Sequence, residues 1–201
     1  MKKVYLDENV FYIENFLPTD LWQKTLDICK KEDGWKFEDL IVPQRGTKNM
    51  PYEIYQEYWD IVLGKLKEIY PESDHMYRYT GHFSAFKPAN EAIADDWAFG
   101  LHEDDNGYKE GYKIDSENPV ILHGCIYYIN DDYDGGEVVY PRANLRIKPK
   151  PNMFLSHPGT SKYLHGVTQV YGKTRYTSPM FILDRKQKQL INQVDAFEGD
   201  D

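Results

Sequence analysis

The stretch FGLHEDDNGY, residues 99–108, sets His102 and Asp104 two positions apart, with more acid at Glu103 and Asp105. In an extended segment side chains alternate, so His102 and Asp104 share one side and Glu103 takes the other. An imidazole and a carboxylate on one side can grip a single cation. They are two members of the 2-His-1-carboxylate set that leaves open positions on ferrous iron. Alone, His-x-Asp is a weak signal that reads more readily as a solvated acidic loop, so a metal site needs a third ligand from a distant strand. His123, His157 and His165 follow the pair, while His75 and His82 precede it. His123 opens the run HGCIYYI as a core or surface histidine. His157 stands before Pro158-Gly159 and reads as a strand end or turn. His165 differs, because Arg175 follows ten residues later on a strand that alternates Arg175, Thr177 and Pro179 against Tyr176 and Ser178. A metal that chelates one end of a small 2-oxo dicarboxylate needs a fixed cation for the other end. A planar guanidinium makes bidentate bonds to such a carboxylate. That spacing favours His165 as the third ligand and Arg175 as the anchor, although taken alone a strand arginine reads more readily as a surface residue.

These residues need elements to hold them. A chain of 201 residues suits one domain with a real core. Its 41% apolar and 28% charged content is that of an ordinary globular protein. The run PTDLWQKTLDICKKED reads as a helix with Leu21, Trp22, Leu26, Ile28 and Cys29 on one face, behind a Thr19/Asp20 start signal. A second helix is expected over 51–70. Pro51 suits its first turn, Pro71 stops it, and Ile54, Tyr58, Ile61, Val62, Leu66 and Ile69 form its stripe. Lys65 falls inside that stripe and must snorkel. VYLDENVFYIENF, before the first helix, holds a short β-like run. From about residue 76 the chain breaks into about eight short β-branched or aromatic runs separated by Gly, Pro, Asn and Asp. Helices set apart from antiparallel strands predict α+β, with a jelly-roll core carrying N-terminal supporting helices. The expected organisation is one domain over 1–201, with helical support at about 17–70 and a β core at about 76–184. Asp134-Gly135 signals a hairpin. Pro149 and Pro151 stiffen an edge turn into the next strand, and Pro179 suggests a bulge or sheet edge. KPANEAIADDW, 87–97, reads as a long loop, and FEGDD as a frayed tail.

Bulk properties exclude some classes. No run approaches the length of a membrane span, and the N-terminal segment carries acids where an apolar signal core would sit. Cys29 and Cys125 read as reduced core residues, which points to a reducing compartment, the cytoplasm. A net charge of −9 disfavours nucleic acid. The 17 tyrosines fit β-rich structure with half-buried faces.

Taken together, HED, CIYYINDDYDGGEVVYP, IKPKPNMFLSHP and LHGVTQVYGKTRY resemble the 2-oxoglutarate- and Fe(II)-dependent dioxygenases, and within them the prolyl-4-hydroxylase-like group. The resemblance covers roughly 76–183, and the two preceding helices suit that group. It implies a double-stranded β-helix in which His102, Asp104 and His165 hold Fe(II) and Arg175 pairs with the 5-carboxylate of 2-oxoglutarate. By position Tyr128 would also reach that carboxylate, with Tyr127 facing away, and Thr177 would line the pocket. Tyr79 lies where relatives place a pocket aromatic, although ordinary packing explains it as well. Gly135-Gly136-Glu137 matches the group's Gly-Gly-Glu run as turn geometry, with no catalytic part for Glu137. The implied reaction consumes O₂, decarboxylates 2-oxoglutarate to succinate and hydroxylates a C–H bond, with ascorbate as a reductant. The implied substrate is a prolyl residue of a peptide or protein, or otherwise a free amino acid or small metabolite. Outside this resemblance stands a non-catalytic β-sandwich that binds metal or sugar. Such a module has no need of an arginine at that distance from His165.

Overall fold

The computed structural model describes residues 1–37, 45–71, 75–79, 82–89, 97–104 and 121–184; for 75, 76, 78 and 79 it describes the backbone alone. Most of the loop expected at 87–97 lies outside these residues, as does the FEGDD tail. No described helix is long and apolar enough to cross a membrane.

Two short strands, β1 (Val4–Tyr5) and β2 (Phe11–Ile13), lead into helix α1 (Thr19–Lys30). Pro18 precedes the helix with no side-chain cap, so the Thr19/Asp20 start signal corresponds to the first helical turn and makes no cap. Leu21, Thr25, Leu26 and Cys29 are buried, with Trp22 and Ile28 packed at the margin. After β3 (Lys36–Phe37) and β4 (Arg45–Asn49) comes α2 (Tyr52–Ile69), led in by Pro51. Tyr58, Val62, Leu66 and Ile69 carry its buried face. Lys65 does snorkel: its ammonium lies 5.4 Å from the Phe16 ring centre, where the ring's negative face receives it. The strands β3 and β4 have no counterpart in the sequence reading, because RGTKN lacks the alternation that marks a strand.

From His75 the described residues form eleven strands, more than the eight expected because several are two or three residues long. They are β5 (His75–Tyr79), β6 (His82–Phe86), β7 (Trp97–His102), β8 (Ile121–Tyr128), β9 (Asp134–Gly135), β10 (Val138–Tyr140), β11 (Leu145–Ile147), β12 (Met153–Pro158), β13 (His165–Thr168), β14 (Val170–Tyr171) and β15 (Arg175–Asp184). The major sheet runs β1-β2-β12-β8-β15-β6-β4-β3, with β5 also on β15; the minor sheet runs β11-β10-β13-β7. All pairings are antiparallel, and the chain passes repeatedly from one sheet to the other, as a jelly roll requires.

Strand β15 shows how one strand serves two sides. Its even residues Tyr176, Met180 and Ile182 join the core under the helices. Its odd residues Arg175, Thr177, Pro179 and Phe181 line a cavity. Across the register Tyr127 and Phe154 face the helices, while Tyr128, Met153 and Leu155 face the minor sheet and pack with Val138 and Tyr140. Trp22 of α1 ties the helical side down by donating its indole N–H to the Ile129 carbonyl at 2.7 Å. Cys29 and Cys125 are buried free thiols, and burial pushes the Cys125 thiol up to about 12.

Three local expectations are corrected. Asp134-Gly135 makes no hairpin between neighbouring strands. It pairs with β14 as the chain crosses from β8 in the major sheet to β10 in the minor one. The glycines are used as expected, both at positive φ (64° and 62°). Pro179 lies at neither a bulge nor an edge. Strand β15 is central; β6 pairs with Arg175 to Thr177, β5 pairs from Met180 on, and Pro179 falls where one neighbour hands over to the other. The 148–152 turn, read as leading to an edge, enters β12, which lies between β2 and β8.

Candidate active site

The distant third ligand is delivered by strand register. Strand β13 pairs with β7 so that His165 stands opposite His102. Paired residues of an antiparallel ladder point to the same side, and the two rings lie 4.3 Å apart, centre to centre. Asp104 follows two residues after His102, just past the end of β7, and its Oδ1 comes within 3.8 Å of His102 Nε2. Ligand atoms from His102, Asp104 and His165 all lie within 4.8 Å of one another. Glu103 takes no part in that cluster and pairs with Arg142 at 3.1 Å. This is the division the alternation predicted.

Backbone carbonyls set the tautomers. The Nδ1–H of His102 donates to Gly100 O (2.9 Å) and that of His165 to Tyr163 O (3.0 Å), leaving both Nε2 lone pairs for a metal. Burial, then the neighbouring His157 and His102 rings, lower the His165 pKa to about 2, so the ring is neutral, as ligation demands. Two neutral imidazoles and one carboxylate suit a divalent transition metal, ferrous iron included.

His157 is the residue that sequence reasoning missed. Of the strand end or turn expected there it is the strand end, near the close of β12, but it is fully buried, with its ring 4.4 Å from His165. Its Nδ1–H donates to Pro158 O at 3.2 Å, and Nε2, without a hydrogen bond, faces Asp104 Oδ2 at 3.6 Å. His157 also stands opposite Gly124 on β8. A Cβ at Gly124 would collide with Asp104 Oδ2 and come within 2.6 Å of the His157 ring. The missing side chain is thus the floor on which the ligand carboxylate rests. The Tyr140 ring packs against both His157 and His165, each at 5.3 Å.

A cavity of about 370 Å³ opens from the triad, within the range of small-molecule sites. Arg175 also lines it, 1% exposed, with Nε and Nη2 lacking any hydrogen-bond partner. The guanidinium is held between the rings of Tyr128 (5.0 Å) and Phe86 (5.4 Å). Gly136 makes room for it, since a Cβ there would lie 3.0 Å from Arg175 Cδ. Thr177 lines the cavity as expected, and so does Ser84, its partner across the β15–β6 register, which the sequence did not announce. Tyr128 and Tyr133 are buried with unpartnered hydroxyls, and burial pushes both phenols upward against the pull of Arg175. Tyr127 does face away, donating to Asn152 Oδ1 at 3.1 Å. Tyr79 stands on β5, but its side chain lies outside the described residues. Glu137 pairs with Arg146 at the surface, in keeping with a structural part.

No family model matches the chain, and no curated protein matches it. Solved structures do. A viral collagen prolyl hydroxylase from Paramecium Bursaria Chlorella virus-1, in its 2OG complex, is similar at TM-score 0.62 and 14% identity, covering 88% of this chain and 96% of that one. A prolyl hydroxylase from Trichoplax adhaerens, in complex with a hypoxia inducible factor peptide fragment, is similar at TM-score 0.62 and 15% identity, covering 90% and 86%. A Pseudomonas putida prolyl-4-hydroxylase is similar at TM-score 0.57 and 14% identity, covering 88% and 93%. These likenesses span most of each chain, and they establish that the protein is built on the prolyl-hydroxylase fold.

Proposed function

We propose that the chain is an Fe(II)- and 2-oxoglutarate-dependent dioxygenase that hydroxylates a C–H bond, with a prolyl residue of a peptide or protein as its substrate. The observation that carries this reading is Arg175. A buried guanidinium with two unpartnered nitrogens is costly, and this one lies in the same cavity as the metal-binding triad. A dicarboxylate that chelates the metal at one end and pairs with Arg175 at the other relieves that cost.

His102, Asp104 and His165 would hold the iron, which when bound supplies O₂ activation coupled to decarboxylation of 2-oxoglutarate to succinate. The chain's own residues do the rest. Gly100 O and Tyr163 O keep the imidazoles in the ligating tautomer. Arg175 would orient the cosubstrate, with Thr177 and Ser84 lining the same cavity and the Tyr128 ring packed on the guanidinium. Phe86, Ile126, Val167 and Phe181 line the cavity with apolar surface that excludes water. Ascorbate would serve as reductant.

An anaerobic titration of the protein with Fe(II) and 2-oxoglutarate tests this. A visible metal-to-ligand charge-transfer band is the expected result. A metal- or sugar-binding sandwich without oxygenase chemistry gives none.

A further inference from the structure

The cavity contains a second guanidinium, to which the reading above assigns no task. Arg45 on β4 lines it together with the triad and Arg175. The sheet register explains why. Arg45 and Arg175 both pair with Phe86, one from each side. The three side chains therefore stand in a row on one face, with adjacent strands about 4.8 Å apart. Arg175 is buried behind Phe86, while Arg45 is half-buried on the other side of it. The Arg45 guanidinium lies 5.2 Å from the ring centre of Phe99, and Phe99 packs edge-on against His102 at 4.4 Å. One aromatic ring thus separates Arg45 from a metal ligand.

Among the described residues, the charges lining the cavity do not balance without a guest. Its two carboxylates are Asp104, assigned to the metal, and Glu103, paired with Arg142. Among the described residues no carboxylate pairs with Arg45. Its guanidinium lies against the face of Phe99, which holds the planar fork in place and leaves its N–H edges for a ligand. With 2-oxoglutarate taken up by Arg175, a neutral substrate would leave Arg45 unused.

We infer that the substrate carries a carboxylate, which Arg45 pairs with while the reacting C–H bond lies on the metal side of Phe99. This rests on the dioxygenase reading and narrows it. Two sources can supply the group: the α-carboxylate of a free amino acid, or an Asp or Glu side chain next to the target residue of a peptide.

The test uses the Fe(II)-loaded full chain with 2-oxoglutarate and two pooled probe sets. One holds free L-amino acids, proline among them, and their amides. The other holds N-acetylated, C-amidated tripeptides with proline at the centre and Glu, Asp, Gln or Asn beside it. Succinate release and a one-oxygen mass gain are the readouts. An acid probe is expected to be turned over with kcat/KM about 30-fold or more above its amide, as a charged hydrogen-bonded pair warrants. The set in which it appears identifies the source. Arg45→Gln should erase that ratio, and Arg45→Lys should restore part of it, while KM for 2-oxoglutarate stays within about twofold. The inference is overturned if acid and amide react alike, if discrimination survives Arg45→Gln, or if Arg45→Gln instead raises the 2-oxoglutarate KM. It is also overturned if the charge-transfer band forms and no acid probe stimulates succinate release. Absence of the band sinks the dioxygenase reading itself, so the two failures are distinguishable.

Discussion

The two faces of the major sheet are satisfied to different degrees. On the helix side, polar groups find partners inside the protein. Tyr127 donates to Asn152, Trp22 to Ile129 O, and the buried Lys48 ammonium to Ile28 O and Lys31 O at the end of α1. Asn152 also bonds both backbone groups of Leu17. On the cavity side, Arg175, Ser84, Tyr128, Tyr133 and His157 all keep buried polar atoms without a hydrogen bond. On the helix side the small Ser178 hydroxyl also lacks a hydrogen bond. Buried polar atoms are normally paired. Their concentration on one face marks that face as built for guests, and the other as built for stability.

Substitutions on the two faces should therefore fail in different assays. The largest effect belongs to Asp104→Ala, which should abolish succinate formation while the protein still melts cooperatively; unchanged turnover would remove Asp104 from the ligand set. Next comes Arg175→Ala. It should raise the 2-oxoglutarate requirement about 100-fold, the scale of a lost buried ionic pair, with iron affinity much less affected. Equal losses of both would blur the distinction between anchor and ligands. Leu66→Ala, on the helix side, should do the reverse, lowering unfolding free energy by about 2–5 kcal/mol through a core cavity and leaving the 2-oxoglutarate KM alone. Tyr127→Phe should be milder, about 1 kcal/mol for one hydrogen bond. Denaturant melts and steady-state kinetics on the same preparations check all four.

Acid gives a graded version of the same contrast. His165 is held neutral, its pKa lowered to about 2 from the ordinary 6.5. The unfolded chain therefore binds the proton more readily than the folded one. The stability this residue contributes is complete above pH about 6.5 and is lost progressively as pH falls below it. A melting series on metal-free protein should show that decline, and His165→Gln should flatten it.

Local patterns in the chain made much of this site visible. His102 and Asp104 sit on one side because an extended backbone alternates. Arg175 and Thr177 follow the same rule, and Tyr127 and Tyr128 part to opposite faces for the same reason. His157 was hidden because Pro158-Gly159 has the composition of a turn, whereas ladder pairing with Gly124 keeps it extended and buried. Arg45 was hidden because RGTKN has no apolar periodicity, and its strand exists only through pairing with β6.

Chain chemistry alone thus determined the residue types, the two helices, the alternation along each strand and the spacing from His165 to Arg175. These depend on neighbours a few positions away. Tertiary structure decided which strands pair and in what register, and so that His165 faces His102, that Gly124 leaves room for Asp104 and His157, and that Arg45 and Arg175 flank Phe86. Register is set by matching buried faces between segments remote in the chain, and a one-residue slip would send every one of these side chains to the opposite face.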